Sequence, residues 1–238
     1  MPSLYTSKLS REIIDDIGKN LNITIRNFSI DNILELYFKS LYPKVDEDKM
    51  GLFKENLQSR IRGNILMALS NIFPGYVVLS NGNKSELATG YFTLYGDSCG
   101  AFNLIKDLFK TEVYALAKWR NENLSKFSKL KKLHIIPQSC INRAPTAELA
   151  HNQTDETSLL PYAVLDGILQ NLIEENMCYS ELIDKFSKKD VDLVLKLLKN
   201  SEHKRKQGVI GIKLKNRGFG KEWQYPLTNR FQENDNNN

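Results

Sequence analysis

The chain has 238 residues, of which 41% are hydrophobic and 26% are charged, and its formal net charge is +5 at pH 7. This length and composition fit one globular domain with a sizeable core and exclude a disordered polymer. No apolar run reaches the roughly 20 residues that span a bilayer, and the three cysteines lack the spacing of a disulfide framework or a zinc site. We therefore expect a soluble protein from a reducing, cytoplasmic compartment.

Helical periodicity dominates the first third of the chain. Residues 23–30, ITIRNFSI, read as a short strand, and residues 43–51 read as a polar linker. The third predicted helix is apolar over a broad face, which favours a role in a dimer interface. Three helices are predicted here, through Ile13, Ile14, Ile17 and Leu21 with Ser10 as N-cap, through Ile33, Leu34, Tyr37 and Leu41, and through Phe53, Leu57, Ile61, Ile65 and Leu69.

A glycine-rich loop follows a short apolar run. Residues 76–79, YVVL, predict a buried parallel strand, and the loop SNGNKSELATGYFTLYGDSCG over residues 80–100 begins at its carboxyl end. Ligands bind at this edge of open α/β sheets. Gly82 permits close approach of a ligand, and the carboxylate of Glu86 suits a hard cation such as Mg²⁺. The alternative is that Lys84 and Glu86 form an ordinary surface pair.

The rest of the chain is predicted to be mainly helical, which gives a helix-rich α/β domain over residues 1–230 and a disordered tail over residues 231–238. Basic residues cluster at 126–134 and 203–207. Such runs are most often solvated helix faces, and the alternative is attraction of nucleic acid or of a phosphate-bearing small molecule. The predicted helices pass through Phe109, Val113 and Leu116, and then, as a C-terminal helical layer, through Leu165, Ile168 and Leu172 and through Val191, Val194, Leu195 and Leu198.

Six stretches occur in a fixed order: GNKSELATGYFTLYGD, IKDLFKTEVYALAKWRN, RAPTAEL, QTDETSLLPYAVLD, EHKRKQ and YPLTNRF. Together they resemble the ammonia-transferring domain of the NAD⁺ synthetase family, among the N-type ATP pyrophosphatases, over nearly the whole chain. The last stretch is similar to the glutamine-dependent branch, whose members carry an N-terminal glutaminase domain. The resemblance implies a Rossmann-like parallel sheet of the adenine nucleotide alpha hydrolase type with flanking helices.

The family activates the carboxylate of deamido-NAD⁺ with ATP and Mg²⁺, and ammonia then displaces AMP to give the amide. These ligands suit the residue types present, because phosphates are bound by lysine and arginine and Mg²⁺ is bound by carboxylates. The resemblance implies that Asn56, Glu86, His203 and Lys204 contact deamido-NAD⁺, that Asn81, Lys110 and Thr146 contact ATP, and that Glu86 also holds the metal. Asn81 stands where the family usually has a threonine.

Several neighbouring residues have two interpretations. Arg60 and Arg62 are candidates for the phosphate side of the dinucleotide or are helix-surface charges. Phe92 and the nearby tyrosines stack on the nicotinate ring or pack in the core. Asp97 caps a turn or binds ribose.

The family's SGGxDS loop, which cradles the pyrophosphate of ATP, does not occur in these 238 residues. The chain begins with MPS, which in the family comes just after that loop, a helix and a strand, so we expect an N-terminally truncated domain that lacks its first strands. One interpretation is a split NAD⁺ synthetase that works as a homodimer with a companion chain carrying the glutaminase and the loop. The others are an inactive remnant or fragment and, from another class, a basic nucleic-acid-binding module.

Overall fold

The computed structural model describes residues 1–41, 51–150, 159–229 and 231. Helices account for most of these residues, and two short strands lie between them. The predicted linker over residues 43–51 and tail over residues 231–238 fall almost entirely outside the described residues. The elements, in chain order, are α1 (Lys8–Leu21), α2 (Asp31–Leu41), α3 (Gly51–Ile72), β1 (Leu79–Ser80), α4 (Lys84–Thr89), β2 (Phe102–Asn103), α5 (Lys110–Glu122), α6 (Gln138–Asn142), α7 (Tyr162–Ile173), α8 (Tyr179–Lys185), α9 (Lys188–Asn200) and α10 (Glu202–Arg205).

The main core lies between α4, α7, α8 and α9. Leu165, Ile168 and Leu169 on α7 are fully buried, as the spacing of three to four residues predicts for one helix face. Val191 and Leu198 on α9 are fully buried against the same cluster. The predicted C-terminal helical layer is therefore confirmed, and it forms the base on which α4 is held.

A second, smaller core joins α2 to α3. Ile30 and Leu34 pack against Leu57 and Ile61, and all four side chains are buried. The broad apolar face of α3 that the sequence predicts is thus partly covered by α2. Leu57 and Ile61 are consequently not available at an interface between two copies.

The sheet consists, within the described residues, of two parallel strands. Leu79 pairs with Phe102 and Ser80 with Asn103, and an isolated parallel bridge joins Asn103 to Gly211. The Asn103 side chain also donates a hydrogen bond to the carbonyl of Gly82 at 2.7 Å. The sheet therefore anchors the loop that precedes α4.

Three sequence predictions are wrong. Residues 23–30 form no strand, because within the described residues no neighbouring strand pairs with their backbone groups. The N-cap of α1 is Ser7, whose side chain accepts a hydrogen bond from the amide of Ser10. Residues 76–79 are not buried: the strand is shifted to Leu79–Ser80, and only one of its two faces is covered. Leu79 is 55% exposed, whereas Ser80, which points to the opposite face, is buried.

No helix in the described part of the chain combines the length and the apolar character that crossing a membrane requires.

Candidate functional site

Helix α4 starts from a capping box that fixes the orientation of Glu86. The Asn83 side chain accepts a hydrogen bond from the amide of Glu86 at 3.0 Å, and a carboxylate oxygen of Glu86 accepts one from the amide of Asn83 at 3.1 Å. The helix ends at Gly90, whose φ of 71° lies in the left-handed region that favours glycine. A short helix is therefore held at both ends, with its single carboxylate in the first turn.

Glu86 is paired with Lys110 across the start of two helices. The Lys110 ammonium lies 3.1 Å from the second carboxylate oxygen of Glu86, and the two side chains are 19% and 20% exposed. Burial raises the pKa of Glu86, and the charge of Lys110 opposes this shift. Because this ion pair is partly exposed, a charged ligand that enters the cleft can replace Glu86 or Lys110 as the partner of the other residue.

The neighbouring Lys84 is not part of a surface pair with Glu86, so that alternative is wrong. Its side chain is fully buried, and its ammonium donates to Glu174 at 2.9 Å and to the carbonyl of Arg217 at 2.8 Å. Asp107 is 2.8 Å away and provides a second carboxylate. Sequence reasoning missed Asp107, although it lies in the IKDLFKTEVYALAKWRN stretch, and it missed Glu174, which lies in none of the six stretches.

A cleft of about 440 Å³, which we call the Glu86 cleft, opens beside this pair. It brings together all the residues assigned to ATP by resemblance, together with the candidate metal ligand, from three separate stretches of sequence: Asn81 and Glu86, Lys110, and Thr146. Arg143 also lines the cleft and is ion-paired with Glu148. Sequence reasoning missed Arg143, although it lies in the same RAPTAEL stretch as Thr146.

A larger cavity of about 940 Å³, which we call the Asn56 cavity, adjoins the Glu86 cleft. Asn56 and Lys204, two of the residues assigned to deamido-NAD⁺, line it, and Arg62 lies at its wall. Asn81 and Asp97 line both the cavity and the cleft, so the two spaces are neighbours. Two ligands, one in the cleft and one in the cavity, could therefore contact each other beside Asn81 and Asp97.

Lys204 stabilises the end of α4 as well as lining the Asn56 cavity. Its ammonium donates to the carbonyls of Gly90 and Phe92 at 2.7 and 2.6 Å, and burial lowers its pKa. The adjacent Arg205 is buried and paired with Glu202 at 2.8 Å. The basic run at residues 203–207 is therefore not simply a solvated helix face.

His203 and Arg60 lie away from these two spaces. His203 is exposed, lines a separate cavity near α9, and has a ring nitrogen 2.9 Å from the carbonyl of Asn200. Arg60 is exposed and donates to the carbonyl of Leu94 at 3.2 Å. Of the two candidate arginines, Arg62 therefore lines the Asn56 cavity and Arg60 does not.

The contacts of Phe92 and Asp97 bear on the two interpretations that the sequence leaves open for each residue. Phe92 belongs to the main core and is 9% exposed, which favours packing. One oxygen of Asp97 accepts hydrogen bonds from the Ser59 hydroxyl and the amide of Thr93, both at 2.8 Å. Asp97 therefore caps the turn over residues 93–97 while it also faces both spaces.

The cleft fits a divalent cation only as part of a larger ligand set. The described residues contain no group of three or more acidic, histidine or cysteine side chains placed to hold a metal. Glu86 offers one carboxylate, and Mg²⁺ is commonly held by one or two carboxylates together with substrate phosphates and water. Glu86 can accordingly supply one protein ligand to a cation that arrives with phosphate.

The sequence matches the NAD synthase family over residues 1–208. It is 46% identical to the glutamine-dependent NAD(+) synthetase of Thermotoga maritima over 234 residues, which cover 98% of this chain and 39% of that protein. A glutamine-dependent NAD⁺ synthetase structure from Acinetobacter baumannii, in complex with adenosine diphosphate, matches with a TM-score of 0.52 and 38% identity over 99% of this chain and 41% of that one.

A third comparison bears on the fold. The crystal structure of a glutamine-dependent NAD(+) synthetase from Cytophaga hutchinsonii matches with a TM-score of 0.75 at 18% identity, over 96% of this chain and 38% of that one. The fold is thus the Rossmann-like α/β fold expected from the sequence. The chain spans about two fifths of the length of these relatives.

Proposed function

Because the chain belongs to the NAD synthase family, we propose that it supplies most of the synthetase part of an NAD⁺ synthetase. In this reaction the carboxylate of deamido-NAD⁺ attacks ATP, an adenylate forms and pyrophosphate leaves. Ammonia then attacks the activated carbonyl, and AMP leaves as the amide forms. The activity is that of a carbon–nitrogen ligase in NAD⁺ biosynthesis, with glutamine as the source of ammonia.

One observation carries the proposal: Asn81, Glu86, Lys110 and Thr146 line a single cleft although they are dispersed over the sequence. Cationic and hydrogen-bonding groups are the partners that polyphosphates require, and Lys110 provides the charge. The adjoining Asn56 cavity, with Asn56 and Lys204, is more than twice the volume of the cleft. We assign ATP to the cleft and the deamido-NAD⁺ side to the cavity.

The Glu86–Lys110 pair contains one group for each charge of a metal–phosphate ligand, since Glu86 suits the metal and Lys110 suits the phosphate. Phosphate oxygens are anionic partners of the same kind as the Glu86 carboxylate, so a bound phosphate could take the place of Glu86 at the Lys110 ammonium. Glu86 would then be the residue that holds Mg²⁺, and the cation would supply neutralisation of phosphate charge. Partial burial of both side chains strengthens these interactions by excluding water.

The pyrophosphate must be stabilised by groups outside these residues, because the chain contains no SGGxDS loop. We propose that another polypeptide region supplies that loop and the glutaminase, as a companion chain. Oriented donors of this kind contribute roughly 3 to 4 kcal/mol each to transition-state stabilisation. The isolated 238-residue chain should therefore show no measurable turnover.

The test measures NAD⁺ and AMP formed from deamido-NAD⁺, Mg-ATP and ammonium chloride. The chain is assayed alone and mixed with a second polypeptide that carries the SGGxDS region of a relative, and Glu86→Gln is the matched control. We expect product only from the mixture with the wild-type chain. Product from the chain alone would show that the loop is dispensable, and no product from a verified complex would favour the inactive-remnant alternative.

Three further features belong to the proposal. A homodimer is supported by exposed apolar side chains on α2 and at the start of α3, including Leu36 at 64% and Leu52 at 71% exposure. A cytoplasmic location is supported by three free cysteines, Cys99, Cys140 and Cys178. The nucleic-acid-binding alternative is weakened, because two cations of the basic run at residues 203–207 have partners within the protein: Arg205 is buried and paired with Glu202, and Lys204 donates to the carbonyl of Gly90.

A further inference from the structure

Glu86 and Lys110, the ion pair of the Glu86 cleft, stand on different helices, and a hydrogen-bonded bridge joins those helices beside the pair. The Ser85 hydroxyl accepts a hydrogen bond from the amide of Lys110 at 2.9 Å. The same hydroxyl donates to one carboxylate oxygen of Asp166, and the other oxygen accepts from the amide of Thr111 at 2.8 Å. Three helices, α4, α5 and α7, therefore meet through Ser85 and Asp166.

The bridge lies in the interior of the protein. Ser85 is fully buried, and Asp166 is 4% exposed. Both oxygens of Asp166 and the hydroxyl of Ser85 have partners, so the bridge has one geometry in which all its polar atoms are satisfied. A buried polar group without such partners would be costly, which makes this arrangement rigid.

The first turn of α5 is held by other helices rather than by its own cap. Only the amide of Phe109 is bound locally, by the Glu112 carboxylate at 2.9 Å. The amides of the next two residues, Lys110 and Thr111, are bound by α4 and α7. The bridge consequently sets where the start of α5 lies relative to α4, which is the relation that places Lys110 opposite Glu86.

We propose that Asp166 and Ser85 are positioning residues, which act on the proposed reaction by holding the Lys110 ammonium at its pairing distance from Glu86. The inference rests on the proposed function in one respect only, which is that the Lys110–Glu86 pair binds the phosphate and the metal of the substrate. Neither residue lines the Glu86 cleft, so their effect passes through Lys110 and Glu86.

Two substitutions of Asp166 distinguish the effect of its hydrogen bonds to Ser85 and Thr111 from the effect of its negative charge. Asp166→Ala removes both contacts of the bridge. Asp166→Asn can retain both, because the amide oxygen accepts from the backbone amide of Thr111 and the amide nitrogen donates to the Ser85 hydroxyl. Ser85→Ala removes the hydroxyl contacts by a different route and serves as the second test if Asp166→Ala does not fold.

The experiment observes lysine side-chain ammonium groups of the ligand-free chain by ¹⁵N NMR at low temperature. A fixed ion pair gives a resolved signal with slow hydrogen exchange. We expect exchange at Lys110 to be at least about tenfold faster in Asp166→Ala and in Ser85→Ala, the effect of losing about one charged hydrogen bond, and near wild type in Asp166→Asn. Lys84 is the internal control, since its buried ammonium is held by Asp107 and Glu174.

Faster exchange at Lys110 with an unchanged Lys84 signal, reversed in Asp166→Asn, supports the inference. An unchanged Lys110 signal in folded Asp166→Ala or Ser85→Ala overturns it, and so does an equal loss at Lys84 and Lys110, which would indicate general destabilisation. Titration of each folded variant with Mg-ATP and deamido-NAD⁺ is a separate readout. Failure of the wild-type chain to bind either ligand would count against the proposed function and leave the NMR result on positioning intact.

Discussion

Lys84 lies beside the Glu86 cleft and yet has no exposed surface. Its ammonium is surrounded by Asp107, Glu174 and the carbonyl of Arg217, all within 2.9 Å. A buried cation is tolerated only with such a set of partners. The residue therefore ties the start of α4 to α7 and to the segment that follows α10.

Replacement of Lys84 by methionine should destabilise the fold strongly, by roughly 3 to 5 kcal/mol, because it leaves the buried carboxylate of Asp107 without its cation. The partly buried Glu174 also loses its nearest cation and keeps only Lys215, at 3.6 Å. Lys8→Met is the matched control, since Lys8 is 89% exposed in a pair with Glu12. That exposed pair contributes little to stability, about 0.5 kcal/mol or less. Urea unfolding followed by circular dichroism measures both, and similar midpoints for the two variants would contradict the assigned role of Lys84.

Lys204 offers a second prediction at this scale. Lys204→Ala should weaken binding of deamido-NAD⁺ by roughly tenfold or more, because a charged hydrogen bond is worth about 1.5 to 3 kcal/mol. Lys206→Ala removes a charge from the same run at an exposed position and should leave affinity unchanged. Isothermal titration calorimetry decides the matter. Equal affinity of wild type and folded Lys204→Ala would show that Lys204 only caps α4.

At the scale of elements, α4 is a helix of 6 residues whose position depends on its ends more than on its length. Isolated helices this short are not stable in water, so the capping box, Gly90 and the contact with α7 hold it in place. An added Cβ at Gly90 would lie 2.3 Å from the Ser201 hydroxyl oxygen. The end of α4 is thus packed directly against the turn before α10.

Loss of the capping side chain in Asn83→Ala should lower the free energy of unfolding by about 1 kcal/mol, within a range of roughly 0.5 to 2. Asn83→Ser is the control, because serine is also a strong N-cap residue and should recover most of the loss. Chemical denaturation measures the change. If Asn83→Ser were as unstable as Asn83→Ala, the cap would not be the source of the effect.

The long helices were predictable from sequence, and the short strands were not. Apolar residues at intervals of three and four predict α3, α7 and α9, because each has one face on a core. Residues 23–30 have the composition of a strand, but a strand also needs a neighbour, and composition does not show whether one is present. The same reason explains the shift of the predicted strand at residues 76–79 to Leu79–Ser80.

At the scale of the whole molecule, the motif resemblance predicts a common location for residues that no periodicity connects. Asn81, Lys110 and Thr146 do line one cleft with Glu86. Their roles toward ATP and the metal remain predictions, as does the role of His203, which lies at another cavity. Lys84 and Asp166 could not be identified from sequence as buried, since their burial depends on contacts with distant helices.

Self-association is the prediction that belongs to the molecule as a whole. Leu36 is 64% exposed on α2, whereas Leu57 and Ile61 are buried under the same helix. If the homodimer forms through this surface, Leu36→Glu should weaken association by roughly tenfold or more, because a charge would be buried in an apolar contact. Light scattering at micromolar concentration measures it. A monomeric wild-type chain would contradict the homodimer proposal.

The hydrogen bond from Lys84 to the carbonyl of Arg217 joins residues 133 positions apart. A ribosome adding about 5 to 20 residues per second needs roughly 7 to 27 s to pass from one to the other. Asp107 and Glu174, the two carboxylates that contact Lys84, are added earlier than Arg217. Lys84 therefore cannot complete its set of partners until the segment that follows α10 has been synthesised, so the start of α4 is fixed long after its own residues have been added.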